Sequence, residues 1–161
     1  MRASFFILST ILIIALCGCA KQRSDAGLQE QVNDYFSALL KGRQQISIEK
    51  MDPRFFPNIE SKREAIRMLN ESAAGFIYHS ITNQTPFGYF EESNSVHYFV
   101  PYVANATFKG QTGTLKSYLL ATRYNGHQTW YFVEVGNKDR QSLANYYSNL
   151  PKALPSASRL P

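Results

Sequence analysis

Residues 114–134, TLKSYLLATRYNGHQTWYFVE, decide the fold. On both sides of Asn125-Gly126 the chain runs with period two in Tyr, Leu, Thr, Val and Phe, the mark of half-buried strands. Asn-Gly is a strong hairpin signal, because a type I′ turn needs positive φ at both central residues. A two-residue loop there sets Tyr124 opposite His127, Ala121 opposite Trp130, Leu119 opposite Phe132 and Ser117 opposite Glu134.

Upstream, the same period begins at Phe76, so strands are expected at 76–82, 87–92, 96–109, 114–124 and 128–136. If residues 110–113 (GQTG) form a four-residue loop, Phe108 faces Leu115 and Tyr102 faces Ala121. The two turns then agree on one core face: Val100, Tyr102, Ala104, Ala106, Phe108, Leu115, Ser117, Leu119, Ala121, Trp130 and Phe132. Small residues beside large aromatics suit a surface that receives a helix. The other side carries Phe99, Val103, Asn105, Thr107, Tyr118, Leu120, Thr122, Tyr124, Tyr131 and Val133. It is too apolar for an ordinary solvated face. Two covers fit it: a partner protein docking on Tyr118, Leu120, Tyr124, Tyr131 and Val133, or the C-terminal part of the same chain.

Ahead of the sheet, Leu28, Val32, Tyr35, Phe36, Leu39 and Leu40 make one stripe of an amphipathic helix, with Ser24 or Asp25 to cap it and Gly42 to end it. Asp52-Pro53 and Phe56-Pro57 break regular structure in 46–59, where Phe55 and Phe56 are placed to plug the core. Ser61-Lys62-Arg63-Glu64 reads as a capping box for a second helix with Ala65, Ile66, Leu69 and Ala73 on one side and Gly75 at its end. Residues 139–150 can form a last helix with Leu143, Tyr146, Tyr147 and Leu150 inward, and Pro151, Pro155 and Pro161 leave 151–161 an extended, flexible tail. The fold class is therefore α+β: at least two N-terminal helices on a curved, cone-like antiparallel sheet of about five strands.

The formal net charge is +5, but the charges are scattered. Lys62, Arg63 and Arg67 form the one local cluster, and Glu60, Glu64 and Glu71 interleave with them, as on a solvated helix face and not a nucleic-acid site. His79, His97 and His127 have no metal-ligand spacing and no adjacent acid, so neither metal nor cofactor is expected. His127 follows the turn and should be solvated, and His97 starts a strand on the outer face. Two residues stand as weak catalytic candidates. Glu134 ends an aromatic strand on the core side, where a carboxylate can serve as a general base if enclosed, or sit solvated at a rim if the strand curves out. His79 lies mid-strand between Tyr78 and Ser80.

At the N-terminus, Met1-Arg2 and the apolar run 5–16 (FFILSTILIIAL) lead into Leu16-Cys17-Gly18-Cys19. The run is short of the about 20 residues a membrane-spanning helix needs. The stretch resembles the bacterial lipobox, with Leu16 three positions before the acceptor, Gly18 just before it and Cys19 as the residue that takes lipid. That resemblance implies a signal peptide over 1–18, cleavage between Gly18 and Cys19, and a polar tether over 19–26 leading to a single domain over 27–150. Cys17 would leave with the signal and Cys19 would carry lipid, so the mature fold would hold no free thiol and no disulfide. By resemblance to sorting rules in two-membrane bacteria, Ala20 in place of Asp implies the outer membrane, facing the periplasm.

The order of elements resembles the nuclear transport factor two-like (SnoaL-like) family over residues 28–136. The carrying residues are Tyr35-Phe36-Ser37-Ala38-Leu39-Leu40-Lys41-Gly42, Asp52-Pro53-Arg54-Phe55-Phe56 and Trp130-Tyr131-Phe132-Val133-Glu134. That family includes isomerases, dehydratases and non-catalytic binding modules, so the fold alone does not settle function. The expected function is a membrane-anchored, non-catalytic binding or assembly module whose partners are membrane lipid through Cys19 and a second copy or another envelope protein. The alternatives are a structural envelope protein with a filled pocket, and a pocket isomerase or hydrolase using Glu134 and His79.

Overall fold

A computed structural model describes residues 27–72, 76–135, 140–152 and 154. The expected signal, Cys19, the tether, the caps Ser24 and Asp25, Ala73, Gly75 and residues 155–161 lie outside them. The elements are α1 (Leu28–Leu40), α2 (Ile46–Glu49), α3 (Ile59–Ser72), β1 (Phe76–Asn83), β2 (Phe87–Glu92), β3 (Ser95–Phe108), β4 (Gln111–Tyr124), β5 (Tyr131–Glu134) and α4 (Arg140–Ala144). This is an α+β fold, with the first three helices ahead of an open antiparallel sheet of five strands among the described residues.

The sheet runs β1-β3-β4-β5, and β2 also pairs with β3. β1 takes residues 102–108 of β3 and β2 takes 95–99, so the two are halves of one interrupted edge strand. Pro101 explains how a proline sits in the long β3. Its carbonyl accepts from Gln84 N (2.8 Å) in the break between β1 and β2. In an antiparallel strand the nitrogen of the same residue points to the same side, so the missing N–H costs β4 nothing.

Both hairpin registers differ from the sequence expectation by an even number of residues. Phe108 pairs with Gln111 instead of Leu115, because Lys109 (φ 49°) and Gly110 (φ 81°) form a two-residue turn with positive φ at both positions. In consequence Tyr102 faces Ser117, and Ala121 faces Tyr98. Past the Asn125-Gly126 turn, closed by His127 N to Tyr124 O (3.1 Å), residues 127–130 leave the ladder. Gln31 on α1 takes them instead, accepting from Trp130 N (2.9 Å) and donating to Gln128 O (2.8 Å). Ala121 therefore pairs with Phe132, and Leu119, not Ser117, with Glu134. Because side chains alternate with period two, even slips leave each residue on its expected face.

The inner face receives α1. Leu28, Val32, Tyr35, Phe36 and Leu39 pack on Val100, Tyr102, Ala104, Leu119, Ala121, Trp130 and Phe132. Trp130 is wholly buried. Of the residues expected on the α1 stripe and the core face, Leu40, which closes α1 on its solvent side, and Phe108, at the hairpin tip, are exposed, and Leu115 is half-buried, as are Phe55 and Phe56 of the loop. Gly42 (φ 76°) ends α1 as expected, its N–H bonding Leu39 O at 3.0 Å. α1 starts at Gly27 without a side-chain cap. The cap of α3 lies three residues before the expected box: Asn58 Oδ1 accepts from Ser61 N (2.8 Å), while Glu64 pairs with Arg67 on the exposed side.

The outer face is covered at one end by the chain itself. Leu143, Tyr147 and Leu150 bury Phe99, Leu120, Val133 and Val135. Residues 140–150 act as a strap: α4 spans five residues, not the whole of 139–150, and the rest crosses the sheet in turns. Tyr146, expected inward, is exposed and stacks on Phe55 at 4.2 Å.

Candidate functional site

The densest polar cluster grows from the Asp52-Pro53 break. Pro53–Phe55 form one 3-10 turn, with proline's fixed φ at its start and Asp52 as its cap, accepting from Arg54 N at 3.0 Å. The turn brings the Arg54 guanidinium back onto the Asp52 carboxylate, with Nη2 to Oδ2 at 2.9 Å and Nε to Oδ1 at 3.2 Å. Tyr124 OH on β4 and Tyr147 OH on the strap donate to the same carboxylate at 2.6 and 3.0 Å. Asp52 is fully buried, yet five donor groups, from Arg54, Tyr124 and Tyr147, satisfy it.

Arg54 extends the cluster to β2 and the strap. Its Nη1 donates to Glu92 Oε2 (2.7 Å) and to Tyr146 O (2.7 Å), and the guanidinium lies 4.1 Å from the Tyr147 ring centre. Glu92 Oε1 accepts from Ser148 N (2.5 Å) and Ser148 Oγ (3.1 Å). Beneath them His97 is wholly buried, bonded to Ser95 Oγ (2.9 Å) and Thr122 Oγ1 (3.0 Å), with Glu92 Oε2 3.4 Å away. Phe90 stacks on one side of its ring at 4.5 Å, and Tyr147 meets it edge-on at 5.3 Å.

Burial by itself would raise the Asp52 and Glu92 carboxyls. Hydrogen bonds and charge from Arg54, joined at Asp52 by Tyr124 and at Glu92 by Ser148, outweigh it and hold both below the ordinary carboxylate value. Burial pushes His97 down to about 4, against the pull of Glu92. The Tyr124 and Tyr147 phenols are held above their ordinary range, first by burial and then by Asp52.

These shifts set an acid dependence. His97 takes up a proton more readily when unfolded, so its contribution to stability shrinks as pH falls from about 6.5 toward its folded value of about 4. The depressed carboxylates act in the same sense, their contribution being lost as pH falls through their lowered folded values. Melting curves should show a Tm that is nearly level from about pH 7.5 to 6.5 and falls from there to about pH 3.5. A Tm that is level from pH 6.5 to 4.5 would contradict the burial of a neutral His97.

The catalytic candidates fall elsewhere. Glu134 is exposed at the end of β5, the rim position the sequence allowed, and accepts from Tyr102 OH at 2.5 Å on the inner side. Tyr35, Tyr78 and Tyr102 are held above the ordinary phenol range by burial and then by the Glu134 charge. Ser117 Oγ is buried there without a hydrogen-bond partner among the described residues. His79 is turned outward at the bulge after Tyr78 and shares a 2.7 Å hydrogen bond with Thr107 on the outer face. Glu134 and His79 thus lie on opposite faces of the sheet and are not brought together.

In the expected partner face, Leu120 and Val133 are buried under the strap and Tyr124 is engaged with Asp52, while Tyr118 and Tyr131 stay half-buried. Cys19 and Gly18 lie outside the described residues. Sequence reasoning missed Arg54, Glu92 and His97. The signal was present in part: alternation places His97 beside Phe99, and Thr122 and Tyr124 beside Leu120, on one half-apolar face. Among the described residues, no group of three or more His, Cys, Asp or Glu is arranged to hold a metal ion.

Comparison with protein-family models, with curated proteins and with solved structures finds no match to this chain. The resemblance to the nuclear transport factor two-like family rests on the residues that suggested it.

Proposed function

We propose that this protein is a lipid-anchored module of the bacterial envelope that binds rather than catalyses, held at the outer membrane through Cys19 with its domain toward the periplasm. The observation that carries the reading is Leu16-Cys17-Gly18-Cys19 at the end of the apolar run 5–16. No helix among the described residues is long and apolar enough to cross a membrane. The geometry supports binding over catalysis in two ways. The strongest acids and the buried histidine are spent on one another and on the strap, and Glu134 and His79 are separated by the sheet. Partner contact, with a second copy or another envelope protein, falls to what the strap leaves open on the outer face: Tyr118 and Tyr131, with exposed Phe87 packed edge-on against Tyr118.

A purely structural role is the second reading, favoured by the filled inner face, where Phe36 packs on Tyr102 and Tyr35 on Phe132 at centroid distances of 5.0 and 5.1 Å. Pull-down of the lipidated protein from detergent-solubilised envelope separates the two. Binding predicts a reproducible partner that Tyr118→Glu releases without unfolding the protein. Recovery of the protein alone would favour the structural role.

Processing gives a further expected result. Cys19→Ser should block cleavage and lipidation and leave the precursor, seen as a heavier band that incorporates no labelled palmitate. A Cys19→Ser protein processed like wild type would remove the anchor from the account.

A further inference from the structure

The strap is fastened at its far end by titratable groups. Arg54 holds the Tyr146 carbonyl, Glu92 holds the Ser148 N–H and hydroxyl, and Asp52 takes the Tyr147 hydroxyl. Asn149 Nδ2 adds a bond to Glu91 O (2.7 Å) that involves none of these three. Below this fastening lies His97, roofed by the edge of Tyr147 and floored by Phe90. We propose that residues 140–150 are an acid-released strap: protonation of His97 drives it off the sheet and bares the apolar face of Phe99, Leu120 and Val133.

The closed strap can hold His97 only as a neutral ring, because closure removes its water. Neutral imidazole is satisfied by the Ser95 and Thr122 hydroxyls, which rotate to donate or accept as needed. The groups facing the ring are Glu92 from β2, Asp52 and Arg54 from the 3-10 turn, and Tyr147 from the strap. Glu92 and Asp52 attract a proton to the ring and Arg54 repels it, but burial outweighs them. Lifting the strap takes Tyr147 off the ring, hydrates it and restores ordinary basicity, so the open state gains a proton that the closed state refuses. A charged His97 also competes with Arg54 for Glu92 Oε2, 3.4 Å from its Nε2, and so loosens the link that Arg54 makes to Tyr146. By linkage, the closing equilibrium weakens by about tenfold for each pH unit through the window in which only the open state is protonated. Linkage of this kind shifts populations without any new contact. What is bared is apolar surface of the kind that monomers seldom expose.

Hydrogen exchange on the full-length protein in detergent tests this. The probes are the Tyr147 amide, bonded to Leu143 O at 3.0 Å, and the Ser148 amide on Glu92, with the β3–β4 amides as internal reference. After division by intrinsic rates, strap opening should rise about tenfold per unit from pH 6.5 to 4.5 while β3 and β4 stay protected. His97→Gln, which stays neutral, should flatten that slope. Strap protection independent of pH, an unchanged slope in His97→Gln, or simultaneous loss from strap and sheet would each overturn the proposal. If His97→Gln does not fold, the titration of the His97 ring by NMR, followed together with strap exchange, decides: ring protonation that coincides with loss of strap protection supports it, and a ring that takes up its proton while the strap stays protected contradicts it.

Discussion

Arg54→Ala should destabilise the protein by about 3–5 kcal/mol, the usual cost of removing one partner from a buried ion pair. The reason lies in what stays behind. Asp52 keeps its position at zero exposure and Glu92 remains mostly buried, so two carboxylates lose their shared cation together. Part of that cost is the penalty of leaving charge unpaired, so a well-packed neutral replacement of the whole cluster would cost much less. Urea unfolding checks the value, and Arg54→Lys separates charge from geometry. Lys supplies a point charge without the fork that binds Asp52, Glu92 and the Tyr146 carbonyl at once, so it should recover only part of the loss. Arg54→Ala within about 0.5 kcal/mol of wild type would show that the cluster does not hold the fold together.

Trp130→Ala is the second large effect, again about 3–5 kcal/mol. Trp130 is wholly buried, edge-on to Tyr98 with ring centres 6.0 Å apart, and Arg123 lies over its ring at 5.0 Å. Its backbone N–H also bonds Gln31 of α1, so this one residue joins helix and sheet. A loss of that size is a large share of the about 5–15 kcal/mol that holds a domain of this size together, and poor yield or degradation in cells is expected. A Trp130 fluorescence readily quenched by iodide in the native protein would place the ring outside and invert the sheet faces.

The faces of the sheet were legible in the sequence although the turns were not. Lys109-Gly110 carries no strong turn signature, since lysine rarely takes positive φ, whereas the two glycines of 110–113 suggest a four-residue loop. At the other hairpin the Asn-Gly turn formed as expected, but Gln31, almost a hundred residues earlier, drew 128–130 out of the ladder. Period two survived both errors because each slip was even. β2 matches its expected span, as its bounds are set by local chemistry: Pro86 before it and Asn94 in the turn after it.

The polar cluster was legible only in fragments. Asp52-Pro53 signals a break, but nothing local says that its carboxylate will meet Tyr147, 95 residues on, or that Arg54 will meet Glu92, 38 residues on. His97 reads in the sequence as no more than the start of a strand on the outer face, because its neighbours in sequence do not include the strap that covers it. Residue type and strand position point to Glu134 and His79, but only the bulge at Tyr78 and the rim position of Glu134 decide that they face apart. Sequence pattern reports which face a side chain takes, and long-range partners decide what that face becomes.

Attachment to the envelope through Cys19 is the claim on which the functional reading stands. Mass spectrometry of the N-terminal peptide, from protein extracted out of cell envelopes, tests it most directly. The account predicts a mature chain that begins at Cys19 and bears more than one acyl chain, since a single chain anchors only marginally. A mature chain that retains Met1, begins elsewhere, or carries an unmodified Cys19 would contradict it.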